Sequence, residues 1–222
     1  MKNALFFLAA SIALLTGAGA AEKPNIVFIL ADDLGFRELG CYGQEKIQTP
    51  RIDQLAREGM KFTRAYSGSP VCAPSRCVLM TGKHPGHAIV RNNRAMTPEG
   101  QYPIPKSEET IAELLAQEGY ISGAFGKWGL GNIWSEGNPN EQGFEKFFGY
   151  NCQAHAHSYY PATLWDNDQK YPLKNDPPVP GHAGLVGGSD PRNPASYDIF
   201  KGQDYASDHI CLLYTSPSPR DK

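Results

Sequence analysis

Apolar residues along this chain fall into continuous runs and periodic runs, and the difference separates strand from helix. The first run, "ALFFLAASIALL", follows Met1, Lys2 and Asn3 and leads into "TGAGAA", with Ala18 and Ala20 in an A-x-A arrangement. At roughly 12 residues it falls short of the roughly 20 needed to cross a bilayer. The charged start, apolar middle and small-residue end predict a signal peptide over residues 1–20, cleaved after Ala20. The second run, Ile26 to Leu30 in "KPNIVFILADDLG", is also continuous and rich in β-branched residues. That pattern predicts a strand buried on both faces of a parallel sheet.

Two periodic runs follow. "TPRIDQLAREGMKF" offers Thr49 as N-cap, Pro50 at the first helical position, Ile52, Leu55 and Ala56 at helical spacing, and Gly59 as the stop. "SEETIAELLAQEGY" predicts a second helix, acidic in its first turn, with Ile111, Leu114 and Leu115 on one face and Gly119 closing it. After it, Tyr120 to Phe125 reads as a strand entering the glycine-rich loop "GKWGLG". Strands alternating with helices predict an α/β fold with a mostly parallel central sheet flanked by helices. Beyond about Asn132 the periodicity fades, and the remainder reads as irregular segments, either substrate-facing insertions or linkers.

Composition narrows the function. The 222 residues are 41% hydrophobic and 20% charged with a formal net charge of -2, so no basic stripe for a polyanion exists and nucleic acid is excluded as a partner. Stable membrane insertion is likewise not expected. Five cysteines (Cys41, Cys72, Cys77, Cys152 and Cys211) are an odd count in an exported chain, too few for a disulfide framework and without a CxxC pair for zinc. The last residues, "CLLYTSPSPRDK", read as residues 211–222 of non-native, adapter-derived sequence, which would make Cys211 foreign, or else as an ordinary Ser/Pro tail.

Two places carry candidate chemistry. Asp32 and Asp33 directly follow the predicted strand, where ligand sites of parallel α/β sheets lie. Adjacent carboxylates there suit a hard divalent cation, Ca²⁺ or Mg²⁺, or else cap a turn and face solvent. In "SPVCAPSRCVLMTGKHPG", Pro74 suits the first turn of a helix, which puts Cys72 at or just before its N-terminus, where the macrodipole favours negative charge. Arg76 adds a fixed positive fork one turn in. A buried thiol, or a bridge to Cys77 with awkward geometry, is the plainer reading of Cys72.

These residues resemble a known family. "CAPSR" is similar to the C-x-P-S-R motif of type I, formylglycine-dependent sulfatases, and "PNIVFILADDLG", "YGQEKIQTPRIDQLAREGMKFTRAYSGSP" and "AFGKWGLG" agree in order over Lys23 to about Tyr150. The resemblance implies an alkaline-phosphatase-like α/β fold, with residues 21–210 as the N-terminal part of an arylsulfatase-like catalytic domain. It implies that Asp32 and Asp33 bind Ca²⁺, and that a formylglycine-generating or sulfatase-maturing enzyme oxidises Cys72 to Cα-formylglycine, both nucleophile and metal ligand. Pro74 and Ser75 would belong to the maturation motif, Arg76 would stabilise the hydrated aldehyde, and Lys127 would hold the sulfate.

The implied activity is hydrolysis of a sulfate monoester, on a sulfated small molecule or sulfated glycan, in the periplasm or outside the cell. A phosphonate or phosphate ester hydrolase of the same superfamily and a silent sulfated-glycan-binding protein are the alternatives. Where many relatives read GKWHLG, Gly129 stands in place of the histidine, so a compensating histidine is sought in "QAHAHSYYP", at His155 or His157. Complete members also carry an Asp-Asn metal pair and a further lysine and histidine beyond position 210, so these 222 residues alone are not expected to turn over substrate.

Overall fold

The computed structural model describes residues 23–181 and 184–215. The predicted signal peptide lies outside the described residues, as do residues 216–222 of the predicted non-native tail. The chain divides into two compact units, residues 1–61 and 62–222.

In the first unit a helix, α1 (Pro50–Glu58), forms where its caps place it, with Thr49 before Pro50 and the Gly59 N–H bonded to the Leu55 carbonyl at 2.9 Å. The Thr49 hydroxyl does not cap its own helix. It accepts from the Gly40 N–H at 2.8 Å and donates to Asp53 Oδ1 at 3.0 Å, while Asp53 also accepts from the Cys41 N–H at 2.6 Å. These bonds pin a short 3-10 turn, Gly40–Tyr42, across the helix start. The predicted strand Ile26 to Leu30 does not form: the segment has no regular secondary structure, is paired with no strand among the described residues, and Ile29 is 81% exposed. A strand buried on both faces needs neighbours at its edges and cover above and below. The described residues of this unit supply neither, and Ile52 and Leu55 of α1 are exposed as well.

The second unit is built on a four-stranded sheet, β1 (Gly123–Lys127), β2 (Lys146–Tyr150), β3 (Thr163–Asp166) and β4 (Gln169–Pro172), in that spatial order. Only β1 and β2 are parallel, in register from Gly123 with Lys146 to Lys127 with Tyr150. The other two pairings are antiparallel, so the sheet is mixed rather than mostly parallel. A long connection between β1 and β2 permits the parallel crossover, whereas Asn167 in the left-handed region (φ 53°) turns β3 tightly back into β4. Three of the four strands thus come from the region whose periodicity reads as irregular.

The first strand sits later than the sequence pattern places it, ending at Lys127 rather than Phe125. Its register on β2 is fixed where Gly126 faces Gly149: a Cβ on Gly149 would lie 2.0 Å from the Gly126 carbonyl oxygen. Successive residues of β2 point to opposite faces, and both faces are core. Phe147 packs with Ala73, Cys77, Ile104, Trp128, Leu130 and Trp165. Phe148 packs with Tyr150, Leu164, Leu173 and Ala206 on the other side.

A helix over Cys72–Thr81, α2, buries Pro74 and places Ala73 and Cys77 in the first cluster, and it ends at Gly82, whose φ of 64° only glycine adopts easily. The next, α3 (Ile111–Gln117), starts with a reciprocal capping box between Thr110 and Glu113. Its predicted apolar face is not the buried one, since Ile111 and Leu114 are each 47% exposed and Ala112 is buried. The helix docks through its first turn: the Thr110 hydroxyl donates to the Gln142 carbonyl at 2.8 Å, and Gly143 admits the backbone of Glu113. The last helix, α4 (Ala206–Thr215), lays Ile210 and Leu213 on the Phe148 cluster and carries Cys211.

Candidate active site

The N-terminus of α2 and the C-terminal end of β1 meet on the Phe147 side of the sheet. Val71, extended at φ -123° and ψ 155°, is the N-cap, and Cys72 is the first helical residue. Pro74 falls in the first turn, where its missing N–H costs no hydrogen bond, and the Ser75 N–H bonds back to the Val71 carbonyl at 3.1 Å. Burial of Ala73 and Cys77 orients the helix, so Cys72, half-buried, is left at the open end.

Lys127 closes β1 and reaches across to that end, its Nζ donating to Cys72 Sγ at 3.3 Å. The Arg76 guanidinium donates through NH1 to the Lys127 backbone carbonyl, which ties helix and strand end together without engaging the ammonium. Three of the residues singled out by the sequence, Cys72, Arg76 and Lys127, therefore come together. Cys72 and Cys77 are not bridged. Cys77 is fully buried, and burial pushes its thiol up, so of the two only Cys72 is placed for reaction.

The two histidines follow β2 in a 3-10 turn, His155–His157. His155 Nδ1 pairs with Glu99 Oε1 at 3.1 Å, and its ring stands edge-on to Tyr150 with centroids 5.6 Å apart. Burial pushes the Glu99 carboxyl up, but bonds from His155 and from Trp165 Nε1 at 2.9 Å outweigh it and leave Glu99 below the usual range. Gly181 packs against the backbone and Cβ of His157.

Pattern reading misses a different pair. The Ala73 N–H, one residue past Cys72, donates to Asn93 Oδ1 at 2.9 Å, and Gln153 Nε2 donates to the same oxygen at 3.2 Å. Gln153 is 3% exposed and lies over Gly129, where a Cβ would meet its Cγ at 2.9 Å. With φ at 80°, Gly129 holds a conformation that side chains disfavour as well. The departure from GKWHLG was the available signal; its counterpart lies 24 positions on and could not be paired with it by periodicity.

In the first unit Asp32 and Asp33 occupy an exposed turn, with Asp33 in the left-handed region at φ 55°. Among the described residues no three His, Cys, Asp or Glu side chains cluster as a metal cage. No helix there is long and apolar enough to cross a membrane.

A family model described as Sulfatase matches residues 24–212. The chain belongs to the sulfatase family. Human (Homo sapiens) arylsulfatase A is 44% identical over 140 residues, covering 62% of this sulfatase-family chain and 27% of that protein. The crystal structure of Ps i-CgsB in complex with a neocarrahexaose matches at a TM-score of 0.63 and 31% identity, over 68% of this chain and 38% of that one. A structure in complex with its substrate D-glucosamine-2-N,6-O-disulfate matches at 0.55 and 29%, over 69% and 28%. The chain thus spans about a quarter of the length of the human relative, and its described residues form part of the alkaline-phosphatase-like α/β fold of sulfatases.

Proposed function

We propose that this chain is the N-terminal part of an exported sulfuric ester hydrolase, which cleaves a sulfate monoester to an alcohol or phenol plus sulfate. The observation that carries the reading is the ammonium of Lys127 placed 3.3 Å from the Cys72 sulfur at the start of a helix. An anion approaching residue 72 meets that ammonium, the helix N-terminus and the Arg76 guanidinium together, which favours a sulfate ester and stabilises charge as the ester oxygen departs.

Oxidised to formylglycine by a maturing enzyme, residue 72 would supply two hydroxyls on one carbon, one to attack sulfur and one to release sulfate afterwards. Lys127 binds a sulfate oxygen and holds the sulfur over residue 72. Arg76, anchored on the Lys127 carbonyl, keeps strand end and helix start at a fixed separation and stabilises the hydrated aldehyde. His155, oriented by Glu99, and His157 are the substrate-facing histidines of this reading. The carboxylate oxygens of Asp32 and Asp33 are the donor type that Ca²⁺ prefers and would account for two of its six to eight ligands.

A sulfated sugar is the substrate class, in line with the disulfated glucosamine named for one structural neighbour. The test is peptide mass spectrometry across Cys72 after the full-length gene product is expressed with a formylglycine-generating enzyme, followed by rates on paired sulfate and phosphate esters of one phenol. A loss of about 18 Da at Cys72 with a preference for sulfate is expected. An unmodified thiol, or a preference for phosphate, refutes the reading.

A further inference from the structure

Gln153 is a buried amide whose orientation the structure determines. The backbone N–H of Ala73 is a donor and nothing else, so the atom of Asn93 facing it at 2.9 Å must be the side-chain oxygen. That oxygen in turn faces Gln153 at 3.2 Å, and only the amide NH₂ can lie there. The opposite end, Oε1, is therefore a carbonyl acceptor; it is buried and has no hydrogen-bond partner among the described residues. A carbonyl in that state costs free energy unless a donor reaches it. It belongs to a side chain 3% exposed, seated on Gly129 two residues from Lys127 and linked through Asn93 to the residue after Cys72.

We infer that Gln153 Oε1 is a built acceptor for an O–H group in the site, and that glycine at 129 exists to make room for it. The inference rests on the proposed function and adds a residue to it. A side chain at 129 and Gln153 in this pose exclude one another, because a Cβ would stand 2.9 Å from Gln153 Cγ and 3.1 Å from its Cδ and Nε2. The residue supplies no proton: a neutral amide oxygen accepts, so it orients a hydroxyl rather than protonating a leaving group. Two hydroxyl sources share this chemistry, the hydrated aldehyde of residue 72 and a hydroxyl of the sugar bearing the sulfate.

Gln153→Met keeps the length and removes the acceptor. In full-length, matured protein with equal formylglycine occupancy, rates would be measured on 4-methylumbelliferyl sulfate, which has no hydroxyl, on a monosaccharide 6-O-sulfate, and on its 4-deoxy analogue. Oxime formation with an aminooxy probe would report on the aldehyde independently of turnover. If residue 72 is the donor, kcat falls about three- to tenfold on all three substrates and the oxime forms faster, because the hydrate is less favoured. If the sugar is the donor, the same loss appears in kcat/KM for the 6-O-sulfate alone, with the oxime rate unchanged. Rates within twofold on every substrate with an unchanged oxime rate would overturn the inference.

Asn93→Ala guards against a folding failure at the buried position. Asn93 is exposed, and its loss releases the amide from its fixed orientation, so a smaller change of the same pattern is expected and no change would count against the inference. Absence of hydrolysis by the wild-type protein would refute the proposed function, while the oxime rate would still read the hydrogen bond.

Discussion

Lys127→Met removes a charge and leaves the surrounding scaffold in place, because the bond from Arg76 goes to the backbone carbonyl of residue 127 and survives the substitution. With Nζ 3.3 Å from Cys72 Sγ, a sulfate oxygen in hydrogen-bond contact with the ammonium would put the anion's charge about 4 Å away. At an effective dielectric near 20 that attraction is about 4 kcal/mol. Lys127 is only half-buried, and water and salt reduce the figure to about 2–3 kcal/mol. The expected result is a loss of roughly 30- to 150-fold in kcat/KM. The assay is hydrolysis of 4-methylumbelliferyl sulfate by full-length, matured protein, with formylglycine occupancy measured so that a maturation defect is not mistaken for a catalytic one. Lys127→Arg keeps the charge in a different shape and should fall between the two. A loss under about threefold at equal occupancy would refute the assignment of Lys127 to the sulfate.

Two further outcomes test the scaffold. Thr110→Ala deletes both the cap to the Glu113 N–H and the buried bond to the Gln142 carbonyl, and should cost about 2 kcal/mol in chemical denaturation, while Thr110→Ser, which keeps both bonds, should cost less than half as much. Glu99 has a folded pKa below its unfolded value of 4.5, so its stabilisation is fully present above pH 4.5 and is lost as pH falls through the lower, folded value. Glu99→Gln should flatten the fall in melting temperature below pH 4.5, and an unchanged acid slope would remove the charge of Glu99 as its cause.

What was legible in the sequence was local. Thr49, Pro50 and Gly59 bound α1, and Pro74 starts α2, because caps and a fixed φ act within a few residues. The motif brought Cys72, Arg76 and Lys127 forward, and they assemble. Strands were the harder part: a strand exists only through its partner, so Ile26 to Leu30 stays unpaired despite its composition. Conversely β2, with only "KFFGY" to announce it, becomes the central strand because β1 and β3 flank it. Gln153 was invisible for the same reason, its partners Gly129 and Asn93 being 24 and 60 positions away.

The central strand poses a specificity problem that its two phenylalanines solve only in part. Sliding β2 one residue along β1 would refill the place of one phenylalanine ring with the other and leave Lys146 or Gly149 in the second ring's place, so the cores resist the slide through one ring only. That slide would carry the strand about 3.3 Å along its neighbour, as far as the whole gap between Lys127 Nζ and Cys72 Sγ. The stop is the close approach of Gly149 to the Gly126 carbonyl, where any other residue presented by a shifted strand would bring a Cβ into backbone. The alignment of a chemical site is thereby entrusted to a position that has no side chain, and enlarging Gly149 would misplace the lysine before it melted the sheet.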